Sequence, residues 1–260
     1  MFRYFWFATL GHTLVVALLA GCASQGGGSA GTPTETTTHA QAVAKIHTEL
    51  AASYFERAQY GIALQEVEVA MQAESDYAPA FNVRGLIRMA LREDTQADED
   101  FRRSLQLDSG DSNAHNNYGW FLCQRGRENE AIAQFMEALK NPLYATPETA
   151  YVNAGVCSKK IGKLKEAEDY FQRALARHAN LPDALFGLAD VSFAARDFAG
   201  AKSYFLRFLR NSPELAAGHL WLAVRIERRV GDRNSEESYA LQLRKRYPDA
   251  RETQLLLQGE

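Results

Sequence analysis

The chain has no Walker-type phosphate loop, no His-Glu-x-x-His pair and no paired-cysteine spacing that would suit zinc. Those absences remove the common signatures of nucleotide-driven and metal-dependent chemistry. Cysteine is scarce, three in 260 residues, and the six histidines are scattered at His12, His39, His47, His115, His178 and His219. Charge of either sign is not in excess: 29 basic against 32 acidic residues leave a formal −3, with no basic stripe to follow a nucleic-acid backbone. The acidic residues fall on outward helix faces and read as a solvated surface. No stretch alternates in the manner of a strand, which excludes a β-rich fold. No apolar run is long enough to span a bilayer, since the one at the N-terminus is broken by Gly11-His12-Thr13. The expectation is therefore no catalytic residue, no metal, no cofactor, no small-molecule substrate and no nucleic acid. What is present is 46% hydrophobic residues, enough for one long helical core.

The unit of that core is the stretch from Ser112 to Leu143. It reads as two helices joined by a turn at Arg125-Gly126-Arg127 and ended by Pro142. Gly119, Ala131 and Ala138 are small where antiparallel helices must approach, and Phe135 fills the space between them. Neither helix is long enough to persist alone in water, so the hairpin needs neighbours like itself. Steps of 34 residues from Gly119 reach Gly85 and Ala51; forward steps of 36, 34 and 34 reach Gly155, Ala189 and Ala223. Twelve residues after each come Ala63, Ala97, Ala131, Ala167, Ala201 and Ser235, and four beyond those come Val67, Phe101, Phe135, Phe171, Phe205 and Tyr239. This register resembles the tetratricopeptide repeat (TPR) over roughly residues 44–249. The fold expected is all-α, a superhelical solenoid of six TPR hairpins (about 44–77, 78–111, 112–145, 148–181, 182–215 and 216–249) with a C-terminal capping helix at 250–260. Departures from the pattern are His47, His115 and His219 where a large apolar residue is usual, and Arg84 and Arg88 in the second repeat. The three histidines share one repeat position. A ladder of ligands is one reading, but successive repeats set them far apart, so partly buried hydrogen-bonded side chains are expected.

Before the repeats, Met1 to Ala20 is mostly apolar and leads into Leu19-Ala20-Gly21-Cys22, which looks like a bacterial lipoprotein signal with its lipobox. That resemblance implies removal of residues 1–21 and lipidation of Cys22, and Ala23 beside it implies sorting to the outer membrane. Loss of Arg3 then leaves 28 basic against 32 acidic residues, or −4. Residues 22–40 are rich in Gly, Ser and Thr and read as a flexible tether, with a reach of roughly 20 to 25 Å. Gly26, Gly28 and Gly31 match a dinucleotide fingerprint, and Gly27, Ser29 and Gly31 a nucleophile elbow, yet neither follows an apolar strand. Both are accidents of a glycine-rich linker. Residues 41–260 are read as one elongated TPR domain, with two extra residues at Pro142 to Pro147 altering the superhelical angle between the third and fourth repeats.

In the TPR family the first helix of each pair lines a concave groove. Mapping its ligand-facing positions gives Asn82, Leu86 and Met89, then Asn113, Asn116, Trp120 and Cys123, then Val152, Val156 and Lys159, then Phe186, Asp190 and Phe193. Asn is unfavourable inside a helix by about 0.5 kcal/mol against Ala, so Asn116 and Asn117 imply partners, either a ligand or another repeat through Asn153. Trp120 among amides has the character of a peptide-binding anchor. Cys123 and Cys157 lie in the leading helices of adjacent repeats and, in an oxidising compartment, are expected to form a disulfide; the alternative is a pair of buried core thiols.

The lipobox, six TPR units, Asn116-Asn117-Tyr118-Gly119-Trp120-Phe121-Leu122-Cys123, the Pro142-Leu143-Tyr144 connection, Asn153-Ala154-Gly155-Val156-Cys157 and Ser238 to Asp249 together resemble the type IV pilus biogenesis and stability lipoproteins. That family implies a pilotin held at the periplasmic face of the outer membrane by its lipid. Its groove would bind the type IV pilus secretin and promote the secretin's localisation and multimerisation, in support of twitching motility. A TPR lipoprotein that scaffolds cell-wall hydrolases or outer-membrane protein assembly would share the lipobox and the ladder but not the third- and fourth-repeat motifs.

Overall fold

The computed structural model describes residues 38–212 and 214–259, and the chain from Thr38 onward forms one folded unit. The signal 1–21, Cys22 and tether residues 23–37 lie outside the described residues. Among the described residues there are thirteen α-helices and no strand. The first hairpin pairs α1 (His39–Glu56) with α2 (Tyr60–Ala73), the second α3 (Ala78–Leu91) with α4 (Asp94–Leu107), and the third α5 (Ser112–Gln124) with α6 (Glu128–Ala138). The fourth pairs α7 (Pro147–Lys160) with α8 (Leu164–Arg177), the fifth α9 (Pro182–Ala194) with α10 (Phe198–Asn211), and the sixth α11 (Ala217–Val230) with α12 (Arg233–Arg246). A short helix, α13 (Arg251–Leu257), packs on α11 and α12. Each leading helix touches its own trailing helix and the leading helix of the next repeat, so α1, α3, α5, α7, α9 and α11 make one continuous face. No helix among the described residues is long and apolar enough to cross a membrane.

The small-aromatic ladder is the internal packing of each hairpin. Ala63, Ala97, Ala131, Ala167 and Ala201 are fully buried, as are Val67, Phe101 and Phe135. A Cβ built on Gly85 would stand 2.9 Å from the Phe101 ring, on Gly119 2.7 Å from Phe135 and on Gly155 2.7 Å from Phe171. Those separations are below contact, which is why only glycine fits opposite a phenylalanine at these three crossings. Gly187 is an unexpected addition: it meets the same Phe171 ring from the next repeat, at 2.4 Å from a built Cβ. The ring is thus clamped between two repeats.

Local chemistry starts and stops the helices. Thr38 caps α1 through a reciprocal pair with Gln41 at 3.2 and 3.1 Å, and Asp111 accepts from the amides of Asn113 and Ala114 ahead of α5. Proline sits in the first turn of α3, α7 and α9, where its missing N–H is not needed. The hairpin turns use a left-handed residue at 58, 92, 126, 162 and 196, and at Gly231 in the sixth repeat, one position later than the register puts it.

Three boundaries differ from the expected ones. Residues 38–40 belong to α1 and its cap rather than to the tether, because the Thr38–Gln41 pair starts the helix there. Helix α6 ends at Ala138, well before Pro142, since Pro142 offers no amide to Ala138 and constrains the residue before it. The connection that follows buries Tyr144 against Ala138 and Ala150 and leaves Leu143 87% exposed. Helix α13 starts after Ala250 without a side-chain cap; Thr253 instead donates to the Tyr247 carbonyl at 2.6 Å. The arginines that break the second repeat's pattern are compensated by Asp100, which is buried and accepts from Arg84 at 3.0 and 2.7 Å and from Arg88 at 2.8 Å.

Candidate protein-binding groove

Helical geometry decides what the leading helices present. Gly119 faces the hairpin partner, and the next residue along α5 points about 100° away. Trp120 therefore leaves the hairpin core and lies partly buried between two cavities on the face of the leading helices. The first cavity, about 540 Å³, spans the third to fifth repeats: Val152, Val156 and Lys159 come from α7, Phe186, Gly187 and Asp190 from α9, and the edge of the buried Phe171 from α8. The second, about 530 Å³, spans the first to third repeats, with Leu86 and Met89 of α3 facing Phe55, Tyr60 and Arg125. Phe193 lines a third cavity farther along, which also contains Lys159 and Asp190. Nine of the thirteen mapped positions are brought together in this way.

Four are not. Asn82 and Asn116 are buried, and their amide oxygens accept from Asn117 Nδ2 at 3.2 Å and Asn153 Nδ2 at 3.0 Å. The amides therefore join neighbouring repeats and their helical cost is met internally. Asn113 is exposed on the first turn of α5 and lines none of these cavities. Cys123 is also turned inward, fully buried beside the equally buried Cys157; their Cα atoms are 5.9 Å apart and the sulfurs are bonded.

The first cavity is apolar with polar edges. Lys159 pairs with Asp190 across α7 and α9. Lys160 reaches back to the Cys123 carbonyl at 2.6 Å and to Glu128 at 3.2 Å, and Glu128 is held below the usual carboxylate range by its backbone amide and by that lysine. Phe186 continues into the fifth and sixth repeats, 5.4 Å from Phe208 and 4.5 Å from His219 between ring centres. Burial against these rings lowers the His219 pKa, with Asp183 pulling weakly the other way. His47 and His115 bond to the trailing helix of their own repeat, at 2.6 Å to Glu66 and 2.7 Å to Gln134. Among the described residues no group of three His, Cys, Asp or Glu side chains is placed to hold a metal.

Phe171, Gly187, Phe55, Tyr60 and Arg125 were not legible as groove residues, because each reaches it from outside the mapped positions. One signal was available: Gly187 is a glycine in mid-helix off the 34-residue register, and such a residue marks a close approach.

A family model described as tetratricopeptide repeat matches residues 49–213. The type IV pilus assembly protein PilF of Pseudomonas aeruginosa is 27% identical over 241 residues, which is 93% of this chain and 94% of that protein. Among solved structures, PilW, described as a widely conserved type IV pilus biogenesis factor, is 34% identical with a TM-score of 0.77 over 83% of this chain and 98% of PilW. The solved structure of P. aeruginosa PilF gives 26% identity and a TM-score of 0.77, over 86% of this chain and 100% of that one. The chain belongs to the tetratricopeptide repeat family and, within it, to the non-enzymatic scaffolds of type IV pilus biogenesis.

Proposed function

We propose that this protein is a pilotin: a lipoprotein of the outer membrane's periplasmic face that binds the type IV pilus secretin through the leading-helix groove and promotes its localisation and multimerisation. The observation that carries the reading is Trp120, a partly buried aromatic between two adjoining cavities on one face. Apolar walls with a few placed charges suit a peptide segment inserted side chain by side chain. The fold holds these walls rigidly, through the Asn82–Asn117 and Asn116–Asn153 amide pairs and the Phe171 clamp, so little ordering is left to oppose binding.

The anchor and the grip divide the work. A lipidated Cys22 supplies the membrane address and the repeats hold the partner. Deleting the gene tests the whole reading: heat-stable secretin multimers should disappear from gels and twitching motility should be lost. Unchanged multimers with normal twitching would instead favour a scaffold for cell-wall hydrolases or outer-membrane protein assembly.

A further inference from the structure

Among the described residues, three arginines at the far end of the groove have no carboxylate within ion-pair distance. Arg225 and Arg229 lie one turn apart on α11, and Arg196 stands in the turn between α9 and α10; all three line a cavity of about 340 Å³. Several arginines elsewhere in the fold form such pairs, as Arg84 and Arg88 do with Asp100 and Arg127 with Asp98. Arg225 and Arg229 instead stack on aromatic faces, Arg225 at 4.3 Å over Phe193 and Arg229 at 5.8 Å over Phe198. A guanidinium held by its face keeps its in-plane N–H donors unused. The carboxylate in the cavity, Asp190, is taken by Lys159, so the lining carries three uncompensated positive charges in a chain whose formal sum is −3.

Bringing like charges together is unfavourable unless an anion completes the set. Arg196 adds a second cost: its φ of 66° is a conformation that L side chains disfavour, and the equivalent residues of the third and fourth repeats are Gly126 and Gly162. A planar fork of N–H donors matches a carboxylate in two hydrogen bonds. The cavity also shares Lys159 and Asp190 with the apolar cavity beside Trp120 and Phe186. A ligand lying along the leading helices therefore passes from an apolar site directly into a cationic one.

We infer that the Arg196, Arg225 and Arg229 cavity is a subsite for the carboxylates of an acidic peptide segment whose neighbouring apolar residues occupy the cavity between Trp120 and Phe186. The inference rests on the groove reading for the apolar half and on the arginines alone for the acidic half. It makes recognition bipartite: apolar burial supplies grip, and the arginines select the sequence and set the direction in which it lies.

The test uses the purified full-length chain and a fluorescein-labelled peptide of leucines followed by glutamates, with its glutamine counterpart as control, followed by anisotropy. The glutamate peptide should bind at least about tenfold more tightly, and combined Arg225→Gln and Arg229→Gln should remove about that factor while leaving the glutamine peptide unaffected. Arg229→Gln alone, at an exposed position, should give a smaller loss with an unchanged melting curve, which separates recognition from folding. Equal binding of the two peptides, indifference to the arginine substitutions, or displacement by inorganic phosphate at the peptide's own concentration would overturn the inference. If secretin binding depends on Trp120 but the arginines have no effect on either peptide, the groove reading stands and the acidic subsite is rejected. If Trp120→Ala leaves secretin binding intact while the glutamate peptide still requires the arginines, the groove reading fails and the subsite remains.

Discussion

Trp120 and Phe135 belong to the same hairpin and are both large aromatics, yet their surroundings assign them opposite work. Phe135 is fully buried against Gly119, whereas Trp120 is only partly covered and separates two cavities. Trp120→Ala should therefore weaken secretin binding by about 2 kcal/mol or more, roughly thirtyfold in affinity, with a small loss of stability. Phe135→Ala should do the reverse, leaving a cavity that costs about 3 to 5 kcal/mol of folding free energy. Binding and melting measured on both variants check the assignment: a Trp120→Ala protein that binds like the parent, or melts as early as Phe135→Ala, makes Trp120 a packing residue. The position of Trp120 was legible because a helix turns by a fixed angle per residue from Gly119. The roles of Asn82 and Asn116 were not, because an amide needing a partner looks the same in sequence whether that partner is a ligand or Asn153 and Asn117 in the adjoining repeats.

At the scale of helices, the 34-residue register made the hairpins readable, since each small residue had to face an aromatic at a fixed offset. What it left unread were contacts between repeats, such as Gly187 on Phe171 or the arginines gathered from α11 and the α9–α10 turn, because no local period relates those positions. Hairpin turns offer a direct measurement. Ala58 is left-handed with φ 56° at the position that Gly126 and Gly162 occupy in the third and fourth repeats, and it is exposed. Ala58→Gly relieves a conformational cost of about 1 kcal/mol, part of which is returned by the greater freedom of glycine in the unfolded chain. A modest rise in melting temperature is expected, with unchanged binding; a fall would mean that the alanine side chain contributes more than its backbone costs. A second link lies between α5 and α7, where Cys123 and Cys157 close a loop with a sequence separation of 34. A loop of that size should stabilise the fold by roughly 2 to 4 kcal/mol by restricting the unfolded chain. Protein isolated from the periplasm and unfolded without reductant should release no thiol at these positions, and reduction should lower its melting temperature; two titratable thiols would reject the bond.

For the whole molecule, the separation of address from grip is the property on which a pilotin depends. The folded unit opens at Thr38 with a cap completed by Gln41, and its first core residue, Ala44, packs within the repeats. The start of α1 is thus capped by residues inside the unit. Membrane attachment, by contrast, rests in the proposed function on lipidation of Cys22, since acyl chains can hold a protein to a bilayer without a spanning helix. Cys22→Ser should therefore release the chain from the outer-membrane fraction into the soluble periplasm while its helical signal and melting temperature stay those of the parent. The purified variant should still bind the secretin in solution, but multimers should fail to accumulate in the outer membrane, because the partner is gripped without being delivered. Fractionation with the outer membrane at high salt despite the substitution would place the anchor elsewhere in the chain. A lost helical signal would show instead that the N-terminal residues take part in the fold, and that address and grip are one device.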